Sequence, residues 1–147
     1  MKFNFKHILF IVISIFWNNH ALTQFSEFNF DLSSKKINSS VFDSKGLFWI
    51  ATEEGLDMFD GNKIHSFQSI LSENNSLLNS EVKNIIEVDN NLLFIGKDGL
   101  SLFNRELFNY ERIKIPSPVS VVNDKKNKLL YFSSSNNGIY KMDYNFN

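Results

Sequence analysis

Cysteine is absent from the 147 residues of the chain. This absence excludes disulfide bonds, thiolate metal sites, cysteine nucleophiles and anchoring through a lipidated N-terminal cysteine. Packing and backbone pairing must therefore stabilise the fold. The 43% hydrophobic and 15% aromatic content is sufficient for one packed domain.

A charge excess is also missing. The formal net charge is −1 and the basic residues are scattered, so the sequence lacks the electrostatic footprint of a nucleic-acid-binding protein. Histidine is scarce as well, because His65 is the only one beyond position 20. A chain whose first 20 residues have been removed keeps one histidine and cannot build a multi-histidine metal site by itself. We therefore expect no nucleic acid partner, no metal and no cofactor.

The longest apolar run lies at the N-terminus. Lys2 and Lys6 precede the apolar segment from Ile8 to Trp17, and polar and small residues follow as far as Thr23. This order is typical of a cleaved secretory signal, and the run is about half of the ~20 residues that span a bilayer. We predict a signal peptide at 1–23, a periplasmic or secreted product and no membrane span in the mature chain.

An imperfect repeat organises the remaining sequence. Three segments share one pattern of turn and apolar residues, the third more weakly: Val41 to Phe59, Ile86 to Phe103, and Val121 to Met142. Trp49 and Phe94 are 45 positions apart, which matches the ~40–45 residues of a four-stranded propeller blade. We expect Trp49, Phe94 and Tyr131 at equivalent positions, packed between neighbouring blades. Sugar stacking by these rings is the alternative.

Each copy is predicted to form antiparallel strands joined by tight turns. In the first copy, the turn from Asp43 to Gly46 is followed by a β-rich strand from Leu47 to Thr52, a third strand at Leu56 to Phe59 and an outer strand at Lys63 to Phe67. No sustained helical period competes with this pattern. The predicted fold class is therefore all-β, an incomplete β-propeller of about three four-stranded antiparallel blades.

The predicted organisation has six parts. They are the signal peptide at 1–23, a lead-in at 24–36, blade 1 at 37–70, an inter-blade loop at 71–81, blade 2 at 82–115 and a partial blade 3 at 116–147. Alternating Phe28, Phe30 and Leu32 make the lead-in a candidate ring-closing outer strand. A propeller ring has roughly four to eight blades, so we expect a truncated product or fragment that packs with further blades or a partner chain.

The first copy resembles the two-component regulator propeller repeat. From Asp43 to Leu56 the sequence is similar to the family pattern D-x-x-G-x-x-W-I-G-T-x-x-G-L, and Phe59-Asp60-Gly61 supplies the aromatic residue and Asp that follow it. The second copy departs from the pattern with Phe94-Ile95-Gly96-Lys97. The blade-motif residues that we expect to be structural are Asp43, Gly46, Trp49, Thr52, Gly55, Leu56, Phe59, Phe94, Gly96, Gly99, Leu100, Phe103, Tyr131 and Gly138.

The resemblance implies the N-terminal sensor part of a hybrid two-component regulator of the Bacteroidetes type. Such a module senses a ligand outside the cytoplasm, with an oligosaccharide or another small molecule as the ligand class. A complete member continues with further blades, another β domain, a membrane helix and a histidine kinase, so no kinase residue is carried over. An exported propeller scaffold that binds proteins is the alternative function.

Candidate catalytic groups have simpler explanations. Glu53 and Glu54 are adjacent, so on a strand they point to opposite faces and in a turn both meet solvent. His65 is not accompanied by a nucleophile elbow. The spacing of Asp57, Asp60 and Asn62 does not match a calcium loop. We therefore predict a binding module that is not an enzyme, and the sequence alone assigns no ligand-binding residue.

Overall fold

The computed structural model describes residues 30–146, which form eleven strands and no helix within that range. The strands are β1 (Ile37–Phe42), β2 (Phe48–Thr52), β3 (Leu56–Phe59), β4 (Ile64–Phe67), β5 (Val82–Val88), β6 (Asn91–Gly96), β7 (Gly99–Asn104), β8 (Asn109–Lys114), β9 (Pro118–Asp124), β10 (Leu129–Ser134) and β11 (Gly138–Asp143). The predicted signal peptide and Phe28 lie outside the described residues.

The strands form three antiparallel sheets in chain order. Sheet 1 contains β1 to β4, sheet 2 contains β5 to β8 and sheet 3 contains β9 to β11, and each strand pairs with the next along the chain. The first strands of sheets 1 and 2 are in contact, and β6 contacts β9. The predicted all-β class with three successive blades is confirmed, and the third blade has three strands within the described residues.

Side-chain capping explains the turn between β1 and β2. The Oδ1 atom of Asp43 accepts hydrogen bonds from the backbone amides of Lys45 (2.9 Å) and Leu47 (3.0 Å), which close the turn onto the carboxylate. Gly46 adopts a φ of 81°, a left-handed conformation that glycine adopts without steric cost. The turn residues identified in the sequence therefore have the expected mechanical role here.

Strand pairing corrects the expected alignment of the repeats. Ala51 pairs with Leu56, the first residue after the turn glycine, and Ile95 pairs in the same way with Leu100. The two sheets are thus offset by 44 residues, and the equivalent of Trp49 in sheet 2 is Leu93. The predicted equivalence of Trp49 and Phe94 was wrong by one position. Since neighbouring strand residues face opposite ways, that one position moves the ring to the other face.

The third sheet keeps Tyr131 at the expected position. Ser133 pairs with Ile139, just after Gly138, as Ala51 pairs with Leu56 in sheet 1. Tyr131 precedes Ser133 by two residues, as Trp49 precedes Ala51 by two. Tyr131 is therefore the equivalent of Trp49 in sheet 3. Tyr131 is half-buried, whereas its neighbour Phe132 is fully buried towards sheet 2.

Two apolar cores lie between the sheets. The core between sheets 1 and 2 contains Trp49, Ala51 and Leu56 from the first and Leu92, Phe94 and Phe103 from the second. The core between sheets 2 and 3 contains a second set: Val88, Leu93, Ile95, Leu100, Leu102, Ile115, Leu130 and Phe132. Sheet 2 is therefore buried on both faces. Each fully buried Leu or Phe side chain contributes about 1.5–3 kcal/mol to stability.

The two outer faces of the stack differ in cover. On sheet 1, Phe30 packs on Phe59 with ring centroids 4.8 Å apart, and Ser33 donates hydrogen bonds to the buried carboxylate of Asp57. Residues 30–36 thus lie against sheet 1 without forming a strand. On sheet 3, Val122 and Ile139 are 63% and 76% exposed. The apolar surface of sheet 3 has no cover within residues 30–146.

The linker from β4 to β5, residues 68–81, contains no strand but is fastened to sheet 2. The guanidinium of Arg112 on β8 donates hydrogen bonds to the carbonyl groups of Glu73 (2.6 Å), Ser76 (3.0 Å) and Leu77 (3.1 Å). The Oδ1 atom of Asn75 accepts a hydrogen bond of 2.8 Å from the backbone amide of Tyr110. The linker is therefore an ordered part of the sheet that it enters.

Candidate functional site

A cavity of about 380 Å³ opens between sheets 1 and 2 and is called the inter-sheet pocket here. Its lining residues are Lys45, Leu47, Trp49, Met58, His65, Phe67, Phe103, Arg105 and Phe108. The β1–β2 turn supplies the first two, strands β2 to β4 supply the next four, and β7 with its following turn supplies the last three. The pocket is therefore a product of blade packing and not of one loop.

Aromatic rings form the wall of the inter-sheet pocket. The ring centroid of Trp49 lies 5.9 Å from that of Phe67 and 6.0 Å from that of Phe103. Phe108 meets Phe103 edge to face at 6.1 Å and is itself 74% exposed. These distances are within the range of favourable ring pairs. The wall is consequently buried at Trp49 and Phe103 and open to solvent at Phe108.

A buried ion cluster borders the pocket. Asp43 accepts a 2.9 Å hydrogen bond from the indole Nε1 of Trp49, and its Oδ2 lies 3.1 Å from the Nη1 of Arg105. The Nη2 of Arg105 donates to Glu87 at 2.6 Å, and its Nε donates to the carbonyl of Asn90 at 2.7 Å. The cluster ties the first turn of sheet 1 to sheet 2.

The hydrogen bonds outweigh burial at both carboxylates of this cluster. Burial alone would raise the pKa of Asp43, but donors from Trp49, two backbone amides and Arg105 hold that pKa below its ordinary value. The same balance lowers the pKa of Glu87, where Ser44 and Arg105 are the donors. Both groups are therefore ionised at neutral pH.

One buried polar atom near this core is left without a partner among the described residues, the hydroxyl of Tyr110. Burial raises the pKa of Tyr110. An unsatisfied buried donor costs about 1–3 kcal/mol, so this hydroxyl could take up an acceptor. The Nη1 of Arg105 is also buried, but it lies against the Oδ2 of Asp43 and is occupied by that ion pair.

The motif glycines of sheet 2 stand where the backbone approaches another group closely. A Cβ on Gly96 would lie 2.6 Å from the Oδ1 of Asn79, and one on Gly99 would lie 2.1 Å from the carbonyl oxygen of Ile113. In sheet 1 the hydroxyl of Thr52 donates to the carbonyl of Gly55 at 2.8 Å. These motif positions shape the ends of the sheets and lie apart from the pocket lining.

The other motif positions have packing roles or open surroundings. Leu56, Leu100 and Phe103 are buried in the two cores, and Phe59 packs on Phe30. Gly138 adopts a φ of 79°, and a Cβ added there would meet nothing within 4 Å.

The groups considered for catalysis are spread over separate places. Glu53 forms an ion pair with Lys36, while His65 Nε2 lies 2.8 Å from Asp60 Oδ2. Asp57 is buried and accepts hydrogen bonds from Ser33 and from Ser66. Within residues 30–146 no group of three His, Cys, Asp or Glu side chains could hold a metal ion.

No lining residue of the pocket was predicted from the sequence as ligand-binding, and Arg105 is the charged one that a correct repeat alignment could have drawn out. With the corrected offset of 44 residues, Arg105 aligns with Gly61 of the first copy and Asn104 aligns with Asp60. Asn104 repeats the turn chemistry of Asp60, because its Oδ1 accepts hydrogen bonds from the amides of Glu106 and Leu107. The signal that could have identified Arg105 is a charged residue at a position where the other copy has the turn glycine.

Three antiparallel sheets stacked face to face in chain order define this part of the chain as an arc of β-propeller blades. No protein-family model matches the sequence, and no curated protein matches it. Among residues 30–146, no helix has the length and apolar character needed to cross a bilayer.

Two solved structures that contain such an arc come from B. thetaiotaomicron. The extracellular domain assigned to the hybrid two-component system BT3049 of B. thetaiotaomicron superposes with a TM-score of 0.69 at 21% identity, over 78% of this chain and 18% of that chain. The extracellular domain assigned to the one-component system BT4673 of the same organism gives 0.63 at 21% identity, over 85% and 17%. The chain thus spans less than a fifth of the length of these structures.

Proposed function

We propose that the chain is an extracytoplasmic ligand-sensing propeller module of a signalling receptor. The observation that carries the proposal is the superposition of its blades on extracellular domains assigned to two-component and one-component systems. The predicted signal peptide at 1–23 supports a periplasmic or secreted location. Sensing requires binding, and the described residues offer a pocket of about 380 Å³ for it.

Membership of the two-component regulator propeller repeat family is part of the proposal. Its support is that the first motif residues have joint mechanical roles. Asp43 caps the turn and binds Trp49, Trp49 fills the core, and Thr52 closes the next turn against Gly55. A pattern of D, W, T and G at these spacings is therefore explained by one set of contacts.

By the same resemblance, the ligand of the whole receptor is an oligosaccharide or another small molecule. Loops on one face of a propeller are its usual binding surface, since they vary freely on a rigid scaffold. Calorimetry of the processed chain with a panel of plant and host oligosaccharides tests this class. Heat from one sugar family and none from the others would support glycan sensing, whereas no heat from any sugar would argue against it.

A protein-binding scaffold is the second candidate, and one observation favours it. The uncovered face of sheet 3 exposes Val122 and Ile139, and apolar patches of this kind usually belong to an interface. Further propeller blades or a partner chain would cover it. Capture of a defined partner whose binding is abolished by Ile139→Lys, together with failure of every small ligand, would favour the scaffold.

A further inference from the structure

The inter-sheet pocket has a lining that suits an apolar ligand body better than a sugar. Trp49, Met58, Phe67, Phe103 and Phe108 form most of the lining, and the volume of about 380 Å³ is in the ~300–1,000 Å³ range of ligand sites. A sugar would bring many hydroxyl groups that this lining leaves without partners, which costs free energy for each one buried. A flat hydrocarbon or aromatic group has no such cost.

The open cation at the pocket calls for one negatively charged acceptor. Lys45 lines the pocket and is exposed, and among the described residues its ammonium forms no ion pair. Arg105 also lines the pocket, but it is 5% exposed and its Nη1 is buried against Asp43. A carboxylate is the acceptor that the ammonium of Lys45 favours.

The other charges around the pocket are already paired. His65 lies against Asp60, and Arg105 is shared by Asp43 and Glu87. The cluster of one guanidinium and two carboxylates carries one net negative charge, and the positive charge of Lys45 is unpaired. The pocket can therefore accept a single anionic group near Lys45, because Asp43 and Glu87 would repel a second one.

We infer that the inter-sheet pocket binds a small aromatic carboxylate. Its ring packs among Met58, Phe67 and Phe108, and its carboxylate accepts a charge-assisted hydrogen bond from the ammonium of Lys45. This assignment rests on the proposed ligand-sensing function and gives the chain a site separate from the loops of the propeller face. Its occupant would bridge sheets 1 and 2.

Tryptophan fluorescence of the processed chain provides a direct readout. The sequence has two tryptophans, and Trp17 falls in the predicted signal peptide, so Trp49 in the pocket wall is the one that remains. We expect 3-phenylpropionate to change this fluorescence saturably and with an affinity about tenfold higher than 3-phenylpropanol, because one charge-assisted hydrogen bond contributes that much. Cellobiose is expected to leave it unchanged.

Matched variants test the contribution of the charged group, Lys45, separately from that of the aromatic wall, Phe108. Lys45→Gln is expected to weaken the acid about tenfold while leaving the alcohol unchanged, and Phe108→Ala to weaken both about fivefold. The controls are Lys97→Gln, an exposed lysine outside the pocket, and Leu107→Ala, the neighbour of Phe108 with 71% exposure. Both controls should keep the affinity of the unmodified chain.

Three results would overturn the inference: equal affinity for the acid and the alcohol, no fluorescence response to either, or equal effects of the pocket variants and their controls. If the acid fails and an oligosaccharide binds in calorimetry, the pocket assignment falls and the proposed sensing function stands. If neither class of ligand binds, both fall.

Discussion

At the scale of single residues, Asp43 joins a local turn to the contact between sheets. Its carboxylate receives two backbone amides from its own turn, the indole of Trp49 and the guanidinium of Arg105. The Asp43 and Arg105 side chains are 0% and 4% exposed. A buried pair of this kind contributes less through its own attraction than through the charge that its loss would leave behind.

Arg105→Ala is therefore expected to lower the free energy of unfolding by about 3–5 kcal/mol, because it leaves the Asp43 carboxylate buried without its counter-ion. Urea unfolding followed by circular dichroism measures the loss. The control is Glu53→Ala, which breaks the exposed pair with Lys36 and should change stability far less. Equal losses in the two variants would show that the buried pair has no special structural role.

The lowered pKa of Glu87 predicts a specific pH dependence. A carboxylate whose pKa is lower in the folded state stabilises that state above its ordinary pKa of 4.5, and this contribution is lost as the pH falls through the folded value. The stability gap between the unmodified chain and Glu87→Gln should thus be largest near neutral pH and shrink in acid. A gap that stays constant down to about pH 3 would contradict the assigned contacts.

At the scale of strands and turns, steric room decides which glycines are required. Gly61 and Gly99 both have positive φ angles, 94° and 152°. A Cβ on Gly61 would meet nothing within 4 Å, whereas one on Gly99 would lie 2.1 Å from the carbonyl oxygen of Ile113. Both positions therefore have a backbone conformation that favours glycine, but only at Gly99 would an added Cβ also clash with a neighbouring strand.

Gly99→Ala should accordingly destabilise the chain by several times as much as Gly61→Ala, for which the left-handed backbone alone costs about 1–2 kcal/mol. Thermal melts of the two variants give the comparison. Similar melting temperatures would mean that β7 and β8 can move apart to admit the methyl group.

The sequence predicted strand positions well because its turns have distinct chemistry, and it misaligned the repeat where that chemistry was weak. In sheet 1 the strand residues are set by Asp43, Gly46 and Gly55 on either side. In sheet 2 the run Leu92-Leu93-Phe94-Ile95 is buried on both faces, so no alternation showed which residue faced which sheet. An aromatic match then suggested Phe94 where pairing requires Leu93.

The pocket itself was beyond sequence reasoning for a related cause. Its wall combines β2 to β4 with the β7–β8 turn, and its ion cluster joins Asp43 to Arg105 across 62 residues of chain. Nothing local in the sequence marks those residues as partners. Their association follows from the way in which sheet 1 packs on sheet 2.

At the scale of the molecule, the stack formed by residues 30–146 has one end that these residues cover and one that they leave uncovered. The positions of Leu56 and Leu100, buried against the next sheet, are taken in sheet 3 by Ile139, which is 76% exposed. This exposure supports the proposal that further blades or a partner chain cover sheet 3.

Ile139→Lys is expected to reduce self-association of the processed chain, because a charge on this face opposes its burial. Leu71→Lys is the control, since Leu71 is 98% exposed and lies in the linker. Sedimentation velocity over a range of concentrations measures the difference. An unmodified chain that is already a stable monomer would show that the face tolerates water.

The attachment of the linker also bears on how the chain is made. Asn75 and Ser76 accept hydrogen bonds from Tyr110 and Arg112, which lie 35 and 36 positions further along the chain. Because the predicted signal directs the chain across the membrane, these contacts form only when both the linker and β8 have reached the far side. Until then the carbonyl groups of the segment after β4 have no protein partner, and its backbone is accessible to proteases.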